Sequence, residues 1–271
     1  MRPPAVAGQF YAADREALVT EIEACYASPL GPGRLPGDHG TERSLAGLVV
    51  PHAGYMYSGP VAAHAYLALA EDGLPDTYVI LGPNHTGYGL PLAVATDDFQ
   101  TPLGVAKVDR DLAEELIQGL IEGDMEAHRY EHSLEVQVPF LQHLRADVSM
   151  VALCMGVQDY QAALEVGARV RAVLKDRDAV IVASTDFSHY VPPEVATVKD
   201  RRAIDGILAG DPRGFLSAVQ GESISMCGYG PVAAALVALE GPKGELLRYG
   251  HSGEVAPMRD VVGYAALTLR T

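Results

Sequence analysis

Four short apolar segments decide the fold of this chain: LAGLVV (45–50), TYVILG (77–82), SMVALC (149–154) and AVIVAS (179–184). Each is rich in β-branched residues, a pattern typical of strands buried on both faces of a mostly parallel sheet. Patterns with helical spacing lie between or after them, at about 59–70, 109–121, 159–174, 194–208 and 231–240. Alternating strands and helices predict right-handed crossovers with helices on both faces of the sheet. The sequence therefore predicts an α/β fold, a three-layer α/β/α sandwich around a mostly parallel mixed sheet.

The remaining segments extend this core. Asp14 is expected to cap a first helix that contains Leu18 and Ile22. LLRYG and VVGYAALTLR near the other end predict two further strands, antiparallel and at an edge of the sheet. Three prolines and four glycines in residues 28–44 predict an exposed loop. We expect a single domain that spans residues 1–271.

Composition narrows the classes of function. The 271 residues include 20 basic and 35 acidic side chains, for a net charge of −15, which argues against nucleic acid or an anionic membrane as a partner. At 48% hydrophobic residues, the chain is too apolar to be disordered. No apolar run reaches the ~18 residues of a membrane helix. Three widely spaced cysteines do not form a disulfide framework, so we expect a cytoplasmic globular protein.

Three of the predicted strands are followed, within a few residues, by a histidine: His52, His85 and His189. Ligands of open α/β sheets bind beyond the carboxyl ends of the strands, and neutral imidazole is the commonest side-chain metal ligand. A single histidine in such a loop is more often a hydrogen-bonding residue, so the metal interpretation depends on all three together. The loops lack the glycine patterns of nucleotide-binding sites.

Cys227 is the candidate for a third metal ligand. It lies in SMCGYGP, just before a helix predicted to begin near Pro231, and a helix N-terminus lowers the pKa of a thiol. The alternative is a small buried thiol, which fits Cys25 and Cys154 better because both lie within apolar patterns.

The segment EHSLE (131–135) is a second polar cluster. On a helix, His132 and Glu135 would share a face, where they could bind a metal or pair a base with its carboxylate. The alternative is a helix start capped by Ser133.

Asp186 and His189 predict a carboxylate–imidazole pair, which would hold one tautomer of the ring and raise its basicity. Ser188 or Cys227 beside His189 leaves a hydrolase open, although the G-x-S-x-G motif is absent.

Six blocks of sequence, in order, carry a resemblance to a known family: RPPAVAGQFY (2–11), PHAGYMYSGPVAAHAY (51–66), ILGPNHTG (80–87), EHSLEVQVPFLQHL (131–144), STDFSHY (184–190) and CGYGPVAAAL (227–236). Together they resemble the Memo family, in particular its prokaryotic AmmeMemoRadiSam system protein B group. The resemblance implies a functional association with a radical-SAM protein.

The Memo family is similar in fold to the class III extradiol ring-cleaving dioxygenases, which hold non-haem iron(II) with two histidines and a carboxylate. The resemblance implies that His52 and His85 are metal ligands and that Cys227 replaces the carboxylate. It also implies that His189 is an additional active-site histidine with Asp186 beside it.

A thiolate is softer than a carboxylate and favours copper(I), zinc or iron–thiolate chemistry. We therefore expect a divalent or redox-active metal, iron or copper, with zinc also compatible. One expected function is redox or dioxygenase-like chemistry on a small molecule, with His189, Asp186 and His132 as the catalytic side chains. The other is a non-catalytic module that binds copper, a peptide or a protein in the same pocket.

Overall fold

A computed structural model describes residues 1–271 and confirms the predicted α/β sandwich. The helices are α1 (Arg15–Ala27), α2 (Tyr55–Asp72), α3 (Arg110–Leu116), α4 (Gln137–Leu144), α5 (Tyr160–Leu174), α6 (Pro193–Leu208), α7 (Pro212–Gly221) and α8 (Tyr229–Ala238). The strands are β1 (Leu45–Val50), β2 (Thr77–Pro83), β3 (Leu92–Val94), β4 (Phe99–Thr101), β5 (Gly104–Val108), β6 (Glu122–Gly123), β7 (Ser149–Met155), β8 (Ala179–Ser184), β9 (His189–Val191), β10 (Lys243–His251) and β11 (Val261–Arg270).

The sheet has the order β10-β11-β1-β8-β2-β7-β3-β6. Its centre is parallel, because β1, β8, β2 and β7 all run in the same direction. Strand β11 is antiparallel to β1, β10 is antiparallel to β11, and β3 is antiparallel to β7. Two hydrophobic cores of 39 and 38 buried residues cover the two faces of the sheet.

The carboxyl ends of the three central strands are level with one another. Val50 in β1 pairs with Ser184 in β8, and Leu81 in β2 pairs with Ala183 in β8. The loops after β1, β2 and β8 therefore leave the sheet side by side at one edge, which is where the candidate site forms.

Several elements differ from their predicted bounds. The helix predicted over 109–121 ends at Leu116. Of the two terminal strands that were predicted at an edge, β10 is the edge strand, and β11 lies inside the sheet between β10 and β1. Helices α4 and α7 and the strands β3–β6 and β9 were not predicted. Most of these elements are too short to show a clear period, but α7 buries Phe215, Leu216 and Val219 at helical spacing and was missed. The predicted cap is present: Asp14 accepts hydrogen bonds from the backbone N–H groups of Glu16 and Ala17. Residues 28–44 contain no helix or strand.

None of the helices combines the length and the apolar character that crossing a bilayer would require.

Candidate metal centre

Three histidines gather beyond the carboxyl ends of β1 and β2. His52 follows β1, His85 follows β2, and His132 lies in the irregular segment before α4. One ring nitrogen from each falls within 4.8 Å of those of the other two. The ring centroids are 5.2 Å apart for His52–His85, 5.4 Å for His52–His132 and 4.5 Å for His85–His132. A single ion could contact nitrogen donors at this spacing after small adjustments of the side chains.

His52 forms the base of this cluster and is only 1% exposed. Its backbone N–H donates to Asp186 Oδ1 at 2.8 Å, and its Nδ1 lies 2.8 Å from Ser184 Oγ. Burial, and then the nearby rings of His132, His85 and His189, hold the pKa of His52 well below its ordinary value. The ring is therefore neutral near pH 7, which is the form that binds a metal.

His85 is oriented by a buried carboxylate. Glu131 accepts the His85 backbone N–H at 2.5 Å and lies 2.9 Å from its Nδ1, and it also accepts the backbone N–H groups of His132 and Ser133. Burial alone would raise the pKa of Glu131, but the hydrogen bond and charge of His85, together with the other partners, lower it to about 2. Glu131 is thus ionised and accepts the Nδ1 proton of His85, and in the neutral form of that ring the lone pair lies on Nε2.

His132 completes the cluster from the rim. Its ring stacks on His85 at an interplanar angle of 23°, and Phe10 packs near it at 4.7 Å. Burial lowers the pKa of His132 to about 4, and the charge of Glu131 opposes this shift. The sequence analysis predicted His132 as a catalytic side chain and left metal binding by it open, and the resemblance did not include it among the metal ligands.

EHSLE does not form the helix that the sequence analysis considered, because residues 133–136 form a turn and α4 begins only at Gln137. Ser133 does not cap a helix, and its hydroxyl donates instead to the carbonyl of Pro83 at 2.8 Å. The segment is held by contacts that are distant in sequence, and a local helical pattern does not record such contacts.

Glu135 faces away from the histidines and is fully buried. It binds the N-terminal segment, which we define as residues 2–11. Its carboxylate accepts from Arg2 Nη1 at 2.6 Å, Ala5 N at 2.8 Å, Val6 N at 3.1 Å and Tyr11 Oη at 2.5 Å. Glu135 therefore fastens the N-terminal segment and does not share a face with His132.

Cys227 lies on the same side of the molecule as the histidines. Its Sγ is 3.2 Å from His52 Nε2 and accepts the backbone N–H of Asp186, also at 3.2 Å. It contacts His52 alone among the three clustered rings. A Cβ on Gly228 would lie 2.4 Å from the Ser184 carbonyl oxygen, so only glycine lets this loop approach β8 so closely.

The expected activation of the Cys227 thiol by the α8 N-terminus is wrong for the protein alone. Desolvation of the thiol raises its pKa, and the Asp186 carboxylate adds to this effect. The helix begins two residues later, at Tyr229, and its partial charge does not offset burial. Cys25 and Cys154 are buried within the core, as predicted.

His189 and Asp186 are neighbours in the loop after β8, but each binds other groups. His189 Nδ1 lies 2.7 Å from the Phe187 carbonyl oxygen and 2.8 Å from that of Ser225. Asp186 instead accepts from the backbone of His52, and burial raises its pKa to about 6 against the opposing effect of that hydrogen bond. Backbone carbonyls thus fix the His189 tautomer and replace the predicted carboxylate partner, which leaves Nε2 of His189 free.

Ser188 is fully buried and its hydroxyl has no hydrogen-bond partner. Its backbone N–H donates to Asp200 Oδ1 at 2.9 Å. A hydroxyl in this position is not presented to a substrate, which counts against a serine hydrolase.

Comparison with known proteins gives consistent results. A family model described as Memo-like protein matches residues 2–268. A MEMO1 family protein of Methanopyrus kandleri is 48% identical over 99% of both chains. Another, from Methanothermobacter thermautotrophicus, is 46% identical over 99% of this chain and all of its own. Among solved structures, an uncharacterized protein of Escherichia coli K12 superposes with a TM-score of 0.57 at 17% identity, over 83% of this chain and 99% of that one. This last similarity concerns the fold alone.

Proposed function

The chain belongs to the Memo-like protein family, and from that premise we propose that it binds one metal ion through His52, His85 and Cys227. We further propose that it performs redox or dioxygenase-like chemistry on a small organic molecule. The observation that carries the proposal is the placement of three donors at the carboxyl edge of the sheet: ring nitrogens of His52 and His85 lie within 4.8 Å of each other, and the Cys227 sulfur lies 3.2 Å from His52 Nε2.

The chemistry of the donors fits a metal ion. Metal-binding histidines usually donate their second ring N–H to a protein acceptor. His85 has such an acceptor in ionised Glu131, and His52 has one in Ser184. The sulfur of Cys227 lies beside the free Nε2 of His52 and would supply a third, softer donor.

This donor set favours iron or copper, and zinc is also compatible. A redox-active ion, when bound, would supply one-electron chemistry. The role of the chain is to hold the donors, exclude water from the base formed by His52, and handle protons at the rim.

Two side chains are suited to the proton work. His189 has its Nδ1 bound to carbonyl oxygens, so its Nε2 can take up or give a proton. His132, neutral and partly exposed, can hydrogen-bond to a molecule that enters beside His85. The Asp186 carboxylate accepts the backbone N–H of His52, and the Asp186 backbone N–H donates to the Cys227 sulfur.

Elemental analysis of protein purified without chelators tests the metal site. We expect close to one equivalent of metal in the wild type and a nearly complete loss in the His52→Ala/His85→Ala double variant. His64→Ala is the matched control, because His64 is partly buried but binds only the Leu30 carbonyl. An unchanged metal content in the double variant would overturn the proposal.

A second candidate is a non-catalytic copper-binding module. The observation that favours it is the thiol of Cys227, a soft donor 3.2 Å from an imidazole nitrogen. Oxygen consumption by iron-loaded protein with a panel of catechols distinguishes the two. Turnover of any catechol supports the enzyme. Stoichiometric copper(I) binding without turnover supports the module.

A further inference from the structure

Ser184, the last residue of β8, lies beside the cluster of His52, His85 and His132 and contacts His52 directly. Its Oγ is 2.8 Å from His52 Nδ1, 2.8 Å from Gln137 Nε2 and 2.6 Å from the backbone carbonyl oxygen of Ser133. The residue is fully buried. Three polar groups thus compete for one hydroxyl, which has a single proton and two lone pairs.

The direction of each hydrogen bond follows from the partners. The Ser133 carbonyl can only accept, so it takes the hydroxyl proton of Ser184. Both lone pairs of Ser184 then remain for donors, and one of these is the amide of Gln137. The other partner is His52 Nδ1, which must therefore carry a proton.

The orientation of the Gln137 amide is fixed independently. Its Oε1 accepts the hydroxyl of buried Tyr66 at 2.6 Å, and its Nε2 also donates to the Pro51 carbonyl at 3.0 Å. A flipped amide would place its oxygen against the Pro51 carbonyl, which has no proton to give. Gln137 therefore presents its NH₂ group to Ser184 and cannot accept the hydroxyl proton.

From this network we infer that Ser184 is a positioning residue that holds His52 in the tautomer with its proton on Nδ1. The lone pair of His52 Nε2 is then directed toward Cys227 and the proposed metal. The inference rests on the proposed function only in its consequence for metal binding, because the tautomer of His52 is a property of the metal-free protein. Without Ser184, nothing would retain the proton on Nδ1.

The test has two measurements and two serine variants. Ser184→Ala removes the acceptor of His52. Ser58→Ala is the matched control, because Ser58 is equally buried and donates to the neighbouring Ala53 carbonyl without contacting His52. Two-bond ¹H–¹⁵N spectra of metal-free protein report which ring nitrogen carries the proton, and a His52→Gln variant identifies the His52 signals. Zn²⁺ affinity is measured by competition with a chromophoric chelator.

We expect protonation on Nδ1 in the wild type and in Ser58→Ala, and population of the Nε2–H tautomer in Ser184→Ala. Zn²⁺ affinity should fall roughly 10- to 100-fold in Ser184→Ala, as for other residues that orient a metal ligand, and stay unchanged in Ser58→Ala. Ser184→Thr, which keeps the hydroxyl, should restore both readouts.

A wild-type spectrum with the proton on Nε2 would overturn the inference, and so would a Ser184→Ala variant whose tautomer is unchanged. If the wild type keeps Nδ1–H but binds no metal, the proposed function fails while the inferred tautomer stands.

Discussion

Glu131 and Glu135 are two fully buried carboxylates in the same five-residue segment, and they serve opposite sides of it. Glu131 accepts hydrogen bonds from the His85 ring and from the backbone N–H groups of His85 and His132 in the histidine cluster. Glu135 accepts from Arg2 and from the backbone and Tyr11 of the N-terminal segment. Both are stabilised by an equally dense set of hydrogen bonds, so burial and satisfied polar groups do not by themselves identify a functional carboxylate.

The difference lies in the partners. Glu131 binds a side chain with one nitrogen still free for a ligand, whereas Glu135 binds a guanidinium that is itself only 2% exposed. The carboxylate of Glu131 thus orients a ring that can still bind a ligand, whereas the carboxylate of Glu135 forms a buried ion pair that offers no free group to a ligand. Three measurements can break or sharpen this distinction.

The largest effect is expected from Glu135→Ala. The substitution leaves the Arg2 guanidinium buried without its counter-ion, which should lower the free energy of unfolding by about 3–5 kcal/mol in chemical denaturation. An Arg2→Met/Glu135→Leu double variant should recover part of this loss, because no lone charge remains. A loss below about 1 kcal/mol, the value of a surface ion pair, would show that the pair contributes little.

The next effect concerns His128, which is 1% exposed and whose carbonyl accepts from Arg2 at 2.6 Å. Burial, assisted by the charge of Arg2, lowers the pKa of His128 to about 4 against an ordinary value of 6.5. As the pH falls from 6.5 toward about 4, His128 binds a proton in the unfolded chain but not in the folded chain, so the free energy of unfolding decreases. The contribution reaches about 3 kcal/mol at the acidic end.

His128→Gln, which keeps an N–H donor for the Ala93 carbonyl, should remove this part of the acid sensitivity. Urea denaturation from pH 7 down to pH 4 measures it in metal-free protein. His39→Gln is the control, since His39 is exposed in the segment of residues 28–44. Identical pH slopes for His128→Gln and the wild type would contradict the assignment.

The last effect, on ligand affinity, is expected from Glu131→Gln. Both oxygens of the Glu131 carboxylate accept N–H groups, whereas the amide keeps one acceptor oxygen, places an NH₂ group at the other position and no longer attracts the His85 proton with a full charge, so Zn²⁺ affinity should fall roughly 10- to 100-fold. Glu135→Gln, the same change four residues along, should leave Zn²⁺ affinity at the wild-type level. Equal losses in the two variants would mean that the carboxylates do not differ in role.

The sequence predicted the centre of the fold well for a physical reason. Strands buried on both faces read as continuous apolar runs, and 45–50 and 179–184 are found with the predicted bounds. The Memo family assignment from sequence blocks is also confirmed. What the runs could not give is strand order, which brings the ends of β1, β8 and β2 together.

The sequence predicted those residues of the candidate site that directly follow a strand, but not the position of the residue that lies in an irregular segment. His52 and His85 follow strands directly, so their approach follows from the fold. His132 is positioned by turns whose anchors, Glu131 and Glu135, bind residues 46 and 133 positions away. No local pattern carries such information, although the density of polar residues in EHSLE did indicate that the segment mattered.

The long sequence separations within the pocket have a consequence for how the chain is made. Cys227 and His52 are 175 residues apart, and Arg2 and Glu135 are 133 apart. A ribosome releases residues in order, so His52 and His85 emerge long before Cys227, the third donor that we propose. The nascent chain therefore cannot present all three proposed donors together until most of the polypeptide has been synthesised.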